Sequence, residues 1–248
     1  MPSALLVTGG SRGIGAAIVH HAARAGWEVG FTYASDESAA RAVAESVAAA
    51  GGRALAIHAD VADEDAVLHA FAETERAFGP LGGLVNNAGI TGGVGRVEDV
   101  ARPMLERLFA VNVIGAMLCS REAVRRMSTA RGGRGGAIVT ITSRASAYGA
   151  PDTYVHYAAT KGALEVFSLG LAREVAAEGI RVNAVSPGMI DTEIHAAAGD
   201  PDRPARMLPI IPAHRMGTPD EVAEAVIWLL SPAASYVVGA SLDVGGGR

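Results

Sequence analysis

Ala4-Leu5-Leu6-Val7-Thr8-Gly9-Gly10-Ser11-Arg12-Gly13-Ile14-Gly15 joins a short apolar run to a glycine-rich turn. The residues that follow, Ala16 to Ala25, have the pattern of an amphipathic helix that stops at Gly26. The glycines therefore stand where a strand must turn sharply into a helix. Gly9 permits the tight turn, Gly13 lets a pyrophosphate approach the backbone, and Gly15 allows close helix–strand packing. The helix N-terminus offers unpaired N–H groups and the positive end of its dipole to phosphates. With Ser11, Arg12 and Ile14 between them, these residues form a candidate dinucleotide cradle. The spacing is G-x3-G-x-G, in the strand–turn–helix setting that gives such a motif meaning. The alternative is a glycine-rich turn with no ligand.

Beyond this turn, short β-type runs alternate with helical ones. Strands are expected at Ala4–Thr8, Val29–Tyr33, Ala54–Ala59, Gly83–Asn86, Ala137–Thr142, Arg181–Val185 and Ser241–Val244. Ala-rich helices are expected at Ser38–Ala50, Glu64–Phe78, Met104–Met127, Tyr157–Ala177 and Glu221–Leu230. Thr218-Pro219-Asp220-Glu221 is a capping box with proline at the first helical position. Alternation of this kind implies an α/β fold with a parallel sheet covered on both faces. The 248 residues fit one such domain, half of them are hydrophobic, and no Pro/Ser-rich linker divides them.

Composition narrows the function classes. A net charge of −5 argues against a general binder of nucleic acid or anionic membrane. The lone cysteine, Cys119, excludes an internal disulfide and fits a reducing compartment. No basic N-terminal region precedes a long apolar stretch, and no run reaches the roughly 18 apolar residues of a membrane span. The expectation is a cytoplasmic enzyme.

The chemistry is carried by Tyr157-Ala158-Ala159-Thr160-Lys161, with Ser143 fourteen positions upstream at the end of an apolar run. Residues i and i+4 share a helix face, so the Lys161 ammonium can lie near the Tyr157 phenol. A phenol of pKa about 10 is a poor base at neutral pH, and a fixed cation nearby is expected to lower that value. Such a tyrosine can give a proton to a carbonyl oxygen or take one from an alcohol.

Thr8–Gly15, Asp60, Asn86-Asn87-Ala88-Gly89, Asn112, Ser143, Tyr157, Lys161 and Pro187-Gly188 follow one another along essentially the whole chain. In this order and spacing they resemble the short-chain dehydrogenase/reductase family, in particular bacterial members similar to NADP-dependent glucose dehydrogenase and to 3-oxoacyl-carrier-protein reductase. The resemblance implies a single-domain Rossmann-type, doubly wound parallel sheet of about seven strands over residues 1–248. It also implies hydride transfer between a nicotinamide cofactor and a carbonyl or secondary alcohol. Ser143 would hold the substrate oxygen, Tyr157 would supply the proton, and Lys161 would hold the nicotinamide ribose. Asn112 would anchor a water that passes protons to Lys161; its rival role is to satisfy local backbone groups within a helix. Asp60 would accept from the adenine amino group beneath Val61, or cap the next helix. Asn87, Ala88 and Gly89 would line the adenosine side, and Pro187, Gly188, Ile190 and Thr192 the nicotinamide end.

NADP is preferred over NAD on this reading. The end of the second strand carries Tyr33 and Ser35 where NAD-using relatives have an acid, and Asp36 reads as a helix cap. Arg12 offers a planar, always-charged fork to a 2′-phosphate, with Ser35 adding a hydroxyl. Two departures stand out. The Arg144–His156 loop is one residue longer than in many relatives, and Gly245 replaces an aspartate common near their C-terminus.

Residues 189–217, rich in proline and glycine, are expected to form a substrate lid, with Thr91–Val97 also facing substrate. His20, His21, His58, His69, His156, His195 and His214 have no metal-ligand spacing, so no metal is expected. Arg121, Arg125, Arg126, Arg131 and Arg134, with Arg173, could dock an acyl carrier protein or form an ordinary solvated surface. The leading function is an NADP-dependent carbonyl reductase or alcohol dehydrogenase for a small polar or sugar-like substrate. The alternatives are a 3-oxoacyl-carrier-protein reductase and an NADP-binding sensor without turnover. By resemblance the chain is expected to form a homotetramer.

Overall fold

The computed structural model describes residues 3–193 and 198–248. The strands are β1 (Ala4–Val7), β2 (Glu28–Tyr33), β3 (Arg53–His58), β4 (Leu81–Asn86), β5 (Gly136–Ile141), β6 (Ile180–Pro187) and β7 (Ser241–Val244). They form one parallel sheet in the order β3-β2-β1-β4-β5-β6-β7. All seven coincide with the sequence reading to within a residue or two at either end. The alternation along β1 explains how one sheet feeds two cores. Leu5 and Val7 pack with Ile18, Val43 and Val226 on one face. Leu6 packs with Phe71, Ala123 and Ala172 on the other.

The covering helices are α1 (Gly13–Arg24), α2 (Glu37–Ala49), α3 (Glu64–Phe78), α4 (Arg102–Phe109), α5 (Ala116–Met127), α6 (Ala145–Tyr148), α7 (Val155–Val175), α8 (Arg203–Met207) and α9 (Pro219–Leu230). Their starts are marked chemically. The Asp36 carboxylate accepts from Ala39 N at 2.9 Å, and Asp63 accepts from Asp65 N and Ala66 N. At α9 the Thr218–Glu221 capping box is complete.

The helix expected over Met104–Met127 is corrected in one respect. Its run from Arg102 to Met127 is interrupted by a π-helical turn at Ala110–Gly115, where Asn112 sits. One window of this run is long and apolar enough to cross a membrane by length and composition, and nearly half of that window is buried inside the protein. The Arg144–His156 loop contains α6 and three residues of positive φ, Gly149, Ala150 and Asp152.

Because the chain runs outward from β1 to β3 and then returns to place β4 on the other side of β1, the sheet has a switch point between β1 and β4. In open parallel sheets this crevice, beyond the carboxyl ends of the strands, is where ligands bind. The lid reading for 189–217 includes positions 194–197, His195 among them, which lie outside the described residues. The segment's two ends are clipped together: Gly217 N donates to Met189 O at 3.0 Å and Asp191 N donates to Gly217 O at 2.9 Å.

Candidate active site

A cavity of about 760 Å³ opens at the switch point and runs on past the ends of β5 and β6. Every cofactor and catalytic residue read from the sequence lines it, except Asn112. Residues as far apart in sequence as Gly9 and Thr192 are brought together at the strand ends and the start of α7.

The turn after β1 is fixed from three sides. Gly9 has φ +66°, and its N–H donates to Thr32 Oγ1 at 3.0 Å. The buried Thr8 hydroxyl accepts from Asn87 N and Ala88 N, each at 3.0 Å. Asn87 Nδ2 donates to Thr8 O and Gly9 O, both at 2.9 Å. Asn87 thus ties β4 to the glycine turn as well as lining the cavity. A Cβ on Gly15 would stand 2.1 Å from Gly9 O, so only glycine lets α1 start this close to the turn. Arg12 is the N-cap of α1 and supplies no side-chain cap, leaving the helix-end N–H groups for an outside anion. These features fit a dinucleotide phosphate.

At the other end of the glycine turn, Tyr33 ends β2 and Ser35 follows it, and Arg12 is exposed with no ion pair among the described residues. Asp36 is spent on its cap, so the nearest acid is not free to take a ribose. Asp60 is not the cap of α3, a place filled by Asp63, and each of its oxygens already accepts one hydrogen bond. One of its oxygens takes Ala62 N at 3.0 Å and the other takes Arg107 Nη2 at 2.7 Å. Burial pushes the Asp60 carboxyl up, but Arg107 and the Ala62 N–H outweigh it and hold it below its ordinary pKa.

The catalytic candidates lie at the ends of β5 and α7. Ser143 Oγ accepts from Ala145 N at 3.1 Å, which fixes the hydroxyl, and it lies beside the Tyr157 phenol, whose phenolate it favours. The Lys161 ammonium lies 5.6 Å from the centre of the Tyr157 ring and donates to Ile141 O at 2.8 Å. The expected lowering of the Tyr157 pKa is not found in this geometry. Burial pushes the phenol up to about 12, against the Ser143 hydrogen bond that favours its phenolate. Burial also brings Lys161 down to about 8. Removal from water disfavours the charged form of each, raising the phenol and lowering the ammonium.

Asn112 reaches across to two other elements. Its Oδ1 accepts from Ile90 N at 2.8 Å, while Nδ2 donates to Ile90 O at 2.8 Å and Thr160 Oγ1 at 3.1 Å. The side chain braces the loop after β4 against helix α7 rather than serving its own helix, and one lone pair of Oδ1 is left over. At the other end, Gly188 N donates to Val244 O, and Gly188 packs so tightly on Gly245 that a Cβ would stand 2.7 Å from its Cα. The glycine at 245 is therefore a packing partner of the cavity wall. Thr192 comes within 3.3 Å of where a Gly13 Cβ would be, so the start of the lid lies over the glycine turn.

Several lining residues escaped the sequence reading. Arg107, Arg203 and Arg248 reach the cavity from elements far from the motifs, and no local pattern marks them. Arg144 and Arg248 lie against Tyr148, at 5.2 and 5.0 Å from its ring centre. One signal was available: Lys161 is the chain's only lysine, among twenty arginines. The basic run on α5 is largely neutralised within the chain, since the buried Glu122 pairs with Arg121, Arg125 and Arg126. Among the described residues, no group of His, Cys, Asp and Glu is arranged to hold a metal ion.

Comparison with known proteins agrees with this geometry. Residues 9–248 match the family model described as Enoyl-(Acyl carrier protein) reductase. An uncharacterized oxidoreductase of Escherichia coli, YgfF, is 47% identical over 243 residues, 98% of each chain. A 3-oxoacyl-acyl-carrier-protein reductase of Staphylococcus aureus is 37% identical, covering 100% of this chain and 98% of its own. A crystal structure of a short chain dehydrogenase from Burkholderia cenocepacia in complex with NADP superposes with TM-score 0.89 at 36% identity, over 99% of this chain and 97% of that one.

Proposed function

The chain belongs to the short-chain dehydrogenase/reductase family, and from that premise we propose that it reduces a carbonyl compound, or oxidises the matching secondary alcohol, with NADP(H). The observation that carries the reading is the Ser143–Tyr157–Lys161 cluster, set in the same cavity as the glycine turn. The nicotinamide supplies or accepts the hydride when bound. Gly9 to Gly15, Asp60, Val61, Asn87 to Gly89, and Pro187, Gly188, Ile190 and Thr192 are the residues that would hold it. Arg12 and Ser35, beside a strand end with no free acid, support NADP over NAD.

The chain's own residues do the proton chemistry. Ser143, its oxygen pinned by Ala145 N–H, turns its hydrogen toward the substrate oxygen and stabilises charge that grows there. Tyr157 is neutral at pH 7, so it holds the proton which that oxygen needs. Lys161, protonated below about 8, supplies the positive charge that steadies the phenolate left behind. The test is oxidation of NADPH and NADH over ketones, aldehydes, sugars and 3-oxoacyl thioesters. Turnover is expected with NADPH, falling about 10²- to 10⁴-fold in Tyr157→Phe; equal rates in the variant would sink the mechanism.

A 3-oxoacyl-carrier-protein reductase is the second reading, favoured by the full-length Staphylococcus aureus relative. Arg131 and Arg173 are exposed and unpaired among the described residues. Replacing both with Glu should then abolish carrier-linked turnover and spare small soluble ketones. We also place the enzyme in the cytoplasm as a homotetramer. Cys119 is a buried free thiol pushed up to about 12, and α7 exposes the apolar Val166 and Leu169.

A further inference from the structure

We propose that the substrate carries a carboxylate beside its reacting carbonyl, and that Arg203 and the Tyr154 hydroxyl are the groups that receive it. This rests on the carbonyl-reductase reading and names the substrate class for that same site.

Arg203 opens α8 in the lid segment and lines the cavity. Its guanidinium stands 4.6 Å from the centre of the Tyr154 ring, and Tyr154 in turn meets Tyr157 edge-on with centres 6.3 Å apart. The cation therefore lies one small-molecule length from the reacting phenol. It also pairs with no acid among the described residues. Asp200, three residues earlier, gives both carboxylate oxygens to Arg206 Nη2, at 2.7 and 2.6 Å. The remaining cavity arginines are similarly accounted for. Arg144 pairs with Asp243, Arg107 pairs with Asp60, and Arg248 is held over the Tyr148 ring at 5.0 Å and against Met207 Sδ at 3.6 Å. Arg12 belongs to the cofactor end. Among the acids that line the cavity, Asp36 and Asp60 are committed, and Glu193 makes no ion pair with Arg203 among the described residues. A partly buried guanidinium held against an aromatic face, with its acid diverted, is built to receive an anion from outside.

Tyr154 supplies an independent observation. It is 5% exposed, and its hydroxyl is buried with no hydrogen-bond partner among the described residues. An unsatisfied buried hydroxyl is costly and calls for a partner. Burial pushes its pKa up, so it is a neutral donor at working pH. Position 158 is Ala, so Tyr154 lacks the lysine that equips Tyr157 for proton transfer. A recognition role uses what Tyr154 has: a donor next to a cation, one ring away from the reacting group. In the reaction the carbonyl carbon takes hydride from the reduced nicotinamide, which is oxidised. The C=O π bond opens, its oxygen takes the Tyr157 proton, and the carboxylate stays unchanged on Arg203.

The experiment compares acetoacetate with methyl acetoacetate, and 2-oxobutanoate with its methyl ester, using NADPH. Wild type should favour at least one acid over its ester about tenfold or more in kcat/KM. Arg203→Ala should lower kcat/KM for that acid about 10- to 100-fold more than for the ester, chiefly through KM. Arg203→Lys should recover part of the loss, and Tyr154→Phe, which keeps the ring, should show a smaller loss of the same kind. Three results would overturn the proposal: a preference for both esters, an equal fall for acid and ester, or an effect confined to the KM for NADPH. If no carbonyl compound of any class is reduced, the carbonyl-reductase reading fails first. Calorimetric titration of the NADP-loaded protein with 2-hydroxybutanoate against 2-hydroxybutanamide then decides the anion site by itself. Preferential binding of the acid, lost in Arg203→Ala, upholds it; equal binding ends it.

Discussion

The Lys161 ammonium donates to the Ile141 carbonyl and is otherwise enclosed, so holding its proton in the folded chain is unfavourable. The folded chain keeps that proton up to about 8, whereas a free lysine keeps it up to 10.5. Between these values the unfolded chain binds more protons, and stability rises with pH. Tyr157 opposes this only above 10, where the unfolded phenol begins to ionise and the folded one, at about 12, does not. Thermal melts of the cofactor-free protein should therefore show wild type gaining on Lys161→Met as pH goes from about 8 to 10. A constant difference between the two across that window would mean the lysine is charged throughout. The identity of these residues was legible because a four-residue spacing is a local property of a helix. The direction of the Tyr157 shift was not legible, because it is set by how much protein closes around the pair.

The π turn at Ala110–Gly115 belongs to the element scale. Asn112 draws the helix toward Ile90 and Thr160, and Gly115 brings its backbone against Val61. A Cβ on Gly115 would stand 2.7 Å from Val61 O. Backbone cannot yield as a flexible side chain can, so Gly115→Ala must push Val61 out of its seat beside Asp60. The expected cost is about 1–3 kcal/mol of stability, with an NADPH Kd raised several-fold in a fluorescence titration while saturated kcat changes little. An unchanged Kd would mean Val61 does not seat the cofactor. All seven strands were legible from the sequence because apolar runs bounded by turn residues are local signals. The interruption of the helix was not, since its partners lie 22 and 48 positions away. Arg107, Arg203 and Arg248 were hidden for the same reason: strand ends assemble the cavity wall from distant parts of the chain.

At the scale of the whole molecule, α7 is built as though one of its faces met protein. Val166 is 74% exposed and Leu169 39%, while Ile114 and Met117 stand exposed on the neighbouring helical run. Gly170 sits in the interior of α7, one turn beyond Val166, and a Cβ there would meet nothing within 4 Å. Glycine inside a helix costs about 0.8–1 kcal/mol relative to alanine, and nothing within one chain accounts for it here. Close approach of a second copy would, because a bare helix face lets two backbones pack. Wild type should therefore sediment as a homotetramer, and Val166→Glu should release smaller species by placing a charge in an apolar contact. Gly170→Ala separates the explanations more sharply. On a free surface it should raise the melting temperature through helix propensity alone, leaving mass unchanged. In a subunit contact it should weaken assembly, read as a concentration-dependent fall in sedimentation coefficient. A stabilised, unaltered monomer would remove the tetramer from the account and leave Gly170 unexplained.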